Sequence, residues 1–172
     1  MIIFDLDGTL ADCSHRRHFV ELWNPKNKKY WPSLDVTPEP SFEKAWRPDW
    51  QAFYEACDQD KPINPVIDIF DSLCRTNFKN NIQIWSGRCE SVKDKTLNWL
   101  DRYIDIDNIG DVKMRPIGDN TPDDQLKEKW LDEAIAAGHK IEMVFDDRKK
   151  VCDMYIRRGI FVFDVSQGNG NF

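Results

Sequence analysis

Long hydrophobic runs are missing from this chain. None approaches about 18 apolar residues, the length that spans a bilayer, and the N-terminus has no basic stretch leading into an apolar core of signal-peptide length. Paired cysteines are missing too: the five present are odd in number and show no CxxC spacing, which argues against a disulfide framework and a structural zinc site. They read as reduced core residues, so a soluble, cytoplasmic protein without membrane contact is expected. His15, His18 and His139 have no metal-ligand spacing. An excess of positive charge is absent as well. With 24 Lys and Arg against 30 Asp and Glu, the net charge of -6 lacks the basic footprint of a protein that grips long nucleic acid. No GxxxxGK[ST] phosphate loop occurs, so ATP-dependent phosphorylation is not expected. There is no internal repeat, and 172 residues suit one domain with a small appended module.

What is present begins at the first residue. MIIFDLDGTLAD opens on a short apolar run that ends abruptly in Asp5 and Asp7. Residues 1–4 read as a buried parallel strand, which puts Asp5 at its C-terminal tip, where open α/β sheets bind ligands. Gly8 lets the chain turn sharply away. Alternation along an extended segment points Asp5 and Asp7 the same way. Two carboxylates held close cannot both stay ionised cheaply unless a cation joins them or one keeps a proton.

From residue 13 to about 63 the sequence loses simple periodicity. This stretch holds Trp23, Trp31, Trp46 and Trp50, four of the seven tryptophans, and prolines at 25, 32, 38, 40, 48 and 62. Such a composition predicts a compact cap of short helices and turns. Its tryptophans form either the mini-core of the cap or a platform on which a nucleobase stacks. Basic groups cluster at His15, Arg16, Arg17 and His18, at Lys26, Lys28 and Lys29, and at 148–150. For the last two clusters a solvated surface is the plain alternative to function.

Beyond the cap, strands and helices alternate. Asn64 as N-cap, Pro65 in the first helical position and an apolar stripe of Val66, Ile69, Phe70 and Leu73 predict a helix packed on the sheet. Strands are expected at 82–85, 112–114, 141–145 and 160–163, and helices at 90–103, from Thr121-Pro122 to Gly138, and at 149–158. Buried helix positions are expected to include Val92, Trp99, Leu100, Tyr103, Leu126, Trp130 and Ile135. Five strands alternating with helices imply an α/β, doubly wound, Rossmann-like parallel sheet, with residues 1–12 and 64–172 as its core and a cap at 13–63 inserted after the first strand. The tail GNGNF is expected to be only partly ordered.

DxDGTxxD at 5–12 resembles the first motif of the haloacid dehalogenase (HAD) superfamily of phosphohydrolases. Further motifs align in order at Ser86, at Lys127, and at Asp146 with Asp147. The resemblance implies that Asp5 is the nucleophile forming an aspartyl-phosphate and that Asp7 protonates the leaving oxygen and later deprotonates water. It also implies Mg²⁺ held by Asp5, Asp146 and the backbone carbonyl of Asp7, with Ser86 and Lys127 holding the transferred phosphoryl group. The chain is similar, more closely, to the 3′-phosphatase domain of phage polynucleotide kinase–phosphatase, in SGR at 86–88, KTxxWL at 95–100, KMR at 113–115, DxxLK at 123–127 and FDDRxxVxDM at 145–154. By that likeness Arg16 and Arg88 contact the substrate phosphate with Gly87 beside them, and Asp123 orients Lys127. Arg88 as a mere anchor of its loop is the alternative. The substrate implied is a phosphorylated nucleic-acid end or a nucleotide, with free nucleoside monophosphates or other small phosphometabolites as the competing class and non-catalytic binding a remote one. The location implied is the cytoplasm, of a host cell if the protein is phage-encoded. No stable protein partner is evident, and a monomer or homodimer is expected. The cap is longer than that likeness leads one to expect, by roughly residues 26–48.

Overall fold

A computed structural model describes residues 1–21, 46–76 and 81–166. The sequence-predicted lysines at 26, 28 and 29, Trp23, Trp31, most of the added cap length and the C-terminal tail lie outside the described residues. The centre of the fold is β1 (Ile2–Phe4), buried throughout. On one side it pairs in parallel with β4 (Ile82–Cys89), which pairs with β5 (Asp111–Arg115); on the other it pairs with β6 (Met143–Asp146), which pairs with β7 (Phe161–Asp164). The order β5-β4-β1-β6-β7 gives the expected five-stranded parallel sheet. The strand order reverses between β1 and β6, so the tips of these two strands flank the crevice in which such sheets bind ligands.

Alternation along β1 divides the core. Ile2 and Phe4 pack towards α2 (Asn64–Cys74) and α3 (Lys93–Tyr103), together with Phe70, Trp99 and Leu100. Met1 and Ile3 pack towards α4 (Asp123–Ala136) and α5 (Lys149–Arg157), with Trp130, Leu131 and Tyr155. Each such side chain removed from water contributes about 1.5 to 3 kcal/mol. Phe4 stacks on Phe145 at 4.3 Å between ring centres and meets Phe70 edge-on at 5.1 Å, which ties β1, β6 and α2 together just below the site.

Several local expectations need correction. The N-cap of α2 is Ile63, and Asn64 is already helical. Its buried face is Val66, Ile67, Phe70 and Cys74, while Ile69 is 45% exposed. The expected stripe was therefore rotated by part of a turn. Tyr103 and Ile135 are exposed, and Leu131 and Ala134 take the inward positions near Ile135. The stretch from residue 90 opens as a 3₁₀ turn (Glu90–Val92) before α3 begins. Finally, β4 runs past Ser86 to Cys89, with a register shift that leaves Gly87 and Arg88 without partners on β5. A bulge of this kind re-aims a side chain, here that of Arg88.

The insertion leaves and rejoins the sheet through a two-stranded ribbon. β2 (Ala11–Asp12) pairs antiparallel with β3 (Lys61–Pro62). Between them lie a 3₁₀ stretch (Ser14–Phe19), α1 (Trp50–Glu55) and a further 3₁₀ turn (Ala56–Gln59). Among the described residues no helix is long and apolar enough to cross a membrane.

Candidate active site

Asp5 follows β1 directly, its N–H bonded to the Phe145 carbonyl at 2.9 Å, so its position is fixed by the sheet ladder. Asp146 ends β6 and Asp147 follows it. One carboxylate oxygen from each of the three lies within 4.8 Å of the others, and all three residues are buried. Lys127, one turn into α4, reaches into this group with Nζ 2.6 Å from Asp5 Oδ1 and 2.8 Å from Asp146 Oδ2. Asp5 Oδ2 and Asp147 Oδ1 are buried without a hydrogen-bond partner.

Burial, reinforced by the neighbouring carboxylates, raises the pKa of Asp5 well above the usual range against the pull of Lys127. Asp147 is pushed up to about 7, first by burial and then by Asp146. Lys127 stays charged: burial opposes its proton, but Asp123, Asp146 and Asp5 together outweigh it. The cluster is thus short of positive charge, and it offers hard oxygen donors to a cation.

Asp7 is held by a different set of partners. Its Oδ1 accepts from Arg16 NH2 at 2.5 Å and from Arg88 NH2, and Arg88 Nε reaches Oδ2 at 3.4 Å. Burial alone would raise its pKa, but the two guanidiniums prevail and hold Asp7 well below the usual carboxylate range. Both arginines are completely enclosed. Arg16 also donates to the Phe53 carbonyl at 3.0 Å and lies 4.1 Å over the Phe53 ring, while Arg88 donates to Thr96 Oγ1 at 3.1 Å.

The second anchor of this pair is Asp60, which sequence reasoning missed. Its carboxylate takes Arg16 through both oxygens, Arg88 at 2.9 Å and His15 Nε2 at 3.0 Å. Asp60 immediately precedes β3, and no periodicity or motif marks it.

Asp123 gathers three cations: Arg148 at 3.1 Å, Arg115 at 3.4 Å and Lys127 at 3.6 Å. Ser86 is buried, and its Oγ accepts from the Arg88 N–H at 3.2 Å, which leaves its hydroxyl proton for another acceptor. The two glycines at the site make room for carboxylates. A Cβ on Gly8, whose φ is +91°, would stand 2.1 Å from Asp147 Oδ2, and one on Gly87 would stand 2.3 Å from Asp123 Oδ1. Gly87 also accepts from Arg115 Nε at 2.9 Å.

These groups open onto a cavity of about 530 Å³ whose lining includes Asp5, Asp7, Arg88, Trp50, Tyr54 and Arg148. Of the other basic groups, Arg17 pairs with Glu21 at 3.1 Å, and Lys149 pairs with Asp153 at 2.9 Å on the surface.

The model of the polynucleotide kinase PNKP phosphatase domain matches residues 47–172. A putative bifunctional polynucleotide kinase/RNA ligase from Autographa californica nuclear polyhedrosis virus is 35% identical over 74 residues, which is 43% of this chain and 10% of the viral protein. Among solved structures, a chain of a Pnkp1/Rnl/Hen1 complex superposes with a TM-score of 0.66 at 24% identity, over 95% of this chain and 44% of that one. A haloacid dehalogenase-like hydrolase from Streptococcus pneumoniae gives 0.56 at 16% identity, over 95% and 82%. The chain thus spans less than half the length of the viral relative and of the Pnkp1/Rnl/Hen1 component.

Proposed function

The chain belongs to the family of polynucleotide kinase PNKP phosphatase domains, and on that premise we propose that it hydrolyses a phosphate monoester through an aspartyl-phosphate, with the 3′-phosphate of a polynucleotide end or nucleotide as substrate and Mg²⁺ as cofactor. The observation that carries the reading is the state of Asp5: one oxygen is pinned by Lys127 and the other is buried and unpartnered beside Asp146 and Asp147. The residues fit the ion, since the group is made of hard carboxylate oxygens and two of them lack any partner. Asp5 and Asp146 would hold it with the Asp7 carbonyl, and the Asp147 carboxylate is close enough to join them. Bound there, Mg²⁺ supplies the positive charge that lets an anionic carboxylate approach an anionic ester.

A carboxylate oxygen of Asp5 attacks phosphorus while the bond to the leaving oxygen breaks. Asp7 gives that oxygen its proton. A water then loses a proton to Asp7 and attacks the same phosphorus, which releases inorganic phosphate and restores Asp5. Lys127 and the Ser86 hydroxyl hold equatorial oxygens as charge develops on them. The arginines explain how Asp7 becomes an acid. A phosphate that draws Arg88 and Arg16 towards itself removes the charge that keeps Asp7 ionised, so substrate arrival raises the affinity of Asp7 for a proton. Of the inserted segment, the described residues Trp50, Phe53 and Tyr54 line the cavity at this site.

The test is phosphate release from 3′-phosphorylated oligonucleotides, 5′-phosphorylated oligonucleotides and free nucleoside monophosphates, with and without Mg²⁺. Preference for the 3′-phosphorylated end and a loss of about 10⁴-fold or more in Asp5→Asn are expected. The acidic net charge favours small substrates. Reaction with free nucleotides alone would replace the proposed substrate by that class.

A further inference from the structure

Resting on that reading of the site, the structure also points to the chemistry of what lies beyond the phosphate: we propose that Trp50 and Tyr54 form an aromatic wall on which the base of the terminal, unpaired nucleotide stacks. The cavity of about 530 Å³ is far larger than a phosphate group requires and falls in the range of small-molecule sites, roughly 300 to 1,000 Å³. Its charged lining includes Asp5, Asp7, Arg88, Arg115, Asp123 and Arg148, and its aromatic part comes from α1. Trp50 and Tyr54 are four residues apart on that helix and so share a face, with ring centres 6.0 Å apart and planes inclined by 32°.

Trp50 is 44% exposed, whereas Trp85 and Trp99 are wholly buried. A tryptophan recruited only to fill a core would not be left open along the wall of a cavity. Phe53, on the inner side of the same helix, meets the Trp50 ring edge-on at 5.7 Å and lies under the Arg16 guanidinium at 4.1 Å. The wall is therefore fixed relative to Arg16 and through it to Asp7, so a group attached to the reacting phosphate meets it in a set position. A base inside a duplex has both faces covered by its neighbours, so the terminal nucleotide that uses this wall is single-stranded or frayed.

The experiment compares two 3′-phosphorylated oligonucleotides that differ only in whether the terminal sugar carries a base. The wild-type protein is expected to favour the base-bearing end in kcat/KM by about 5- to 150-fold, the range that stacking on one aromatic surface supplies. In Trp50→Ala this ratio is expected to fall towards one, and in Trp50→Phe, which keeps a smaller ring and the helix, to stand between. Equal rates on both ends in the wild type, or an equal drop on both in Trp50→Ala, would overturn the proposal. If neither oligonucleotide releases phosphate, the protein is not a phosphatase of such ends, and binding decides the stacking on its own. A nucleoside 3′-monophosphate should then quench indole fluorescence in the wild type but not in Trp50→Phe, and inorganic phosphate should quench neither. Equal quenching in both proteins removes Trp50 from the site.

Discussion

Arg16 and Asp60 meet in a two-pronged ion pair, Nε to Oδ1 at 2.7 Å and NH2 to Oδ2 at 2.6 Å, with neither side chain open to solvent. The same carboxylate holds Arg88 and His15, so it fixes both guanidiniums that grip Asp7. Removing one member of a buried pair leaves its partner's charge stranded, at about 3 to 5 kcal/mol. Asp60→Ala is accordingly expected to lose stability of that order in urea unfolding, and Asp60→Asn less. At temperatures where both variants remain folded, their turnover should still fall, because the arginines are no longer held where the substrate phosphate arrives. A folded Asp60→Ala protein with wild-type turnover would show that the arginines need no such support.

Gly8 tests how closely the site is packed. At φ +91° an alanine pays the cost of left-handed backbone, about 1 to 2 kcal/mol. Gly138, past the end of α4 at φ +87° with nothing within 4 Å of an added Cβ, pays that cost alone. Gly8→Ala must in addition displace the Asp147 carboxylate, 2.1 Å away. Thermal unfolding should therefore show a larger loss for Gly8→Ala than for Gly138→Ala, and only Gly8→Ala should weaken Mg²⁺ binding by calorimetry.

The convergence of Asp5 and Asp146 was legible because it follows from topology, whereas Lys127, on a helix, was marked by the family resemblance alone. Polar residues at the ends of apolar runs, in a parallel sheet with helical crossovers, must meet at one edge. Asp60 was not legible, because it is a single acidic residue in a segment without period whose meaning comes only from two arginines brought to it by the fold. The inward faces of the helices were half legible. In α2 an apolar stripe at 66, 69, 70 and 73 and another at 66, 67, 70 and 74 fit the same helical period, and packing against Phe4 selects the second. The extension of β4 to Cys89 was hidden for a different reason. Ser86 and Arg88 are polar residues that sequence reading assigns to a loop, and they are tolerated in a buried strand only because Asp7, Asp60 and Thr96 receive the Arg88 side chain.

Cysteine reactivity offers a probe of the cavity. Cys13, Cys57, Cys74 and Cys152 are buried, and Cys89 is half-buried on the cavity wall. Burial pushes the Cys74 thiol up to about 11 and that of Cys152 up to about 12, so neither forms much thiolate near neutral pH. Iodoacetamide at pH 7.5 should modify Cys89 first, as read by peptide mass spectrometry. A nucleoside 3′-monophosphate should slow that modification. Undiminished labelling at saturating nucleotide would place the ligand outside this cavity.

Asp123 makes the acid limb of stability testable. Burial alone would raise its pKa, but Lys127, Arg148 and Arg115 prevail and lower it below the ordinary value. The unfolded chain, with a carboxyl near 3.9, then binds more protons than the folded one as the pH drops, and stability falls with it. The contribution of Asp123 is therefore fully present above the unfolded pKa and is lost as the pH falls through the lower folded value. Within that window one proton changes stability by up to about 1.4 kcal/mol per pH unit. Asp60 is shifted the other way by its burial and adds a slope of opposite sign, so the difference between two proteins is the informative quantity. Urea unfolding of the wild type and Asp123→Asn should show the variant less stable at pH 7 and the two curves converging as the pH is lowered through the carboxylate range. Parallel curves, with a constant gap, would mean that Asp123 stabilises the fold by shape and hydrogen bonding and not by the charge it offers to Lys127, Arg115 and Arg148.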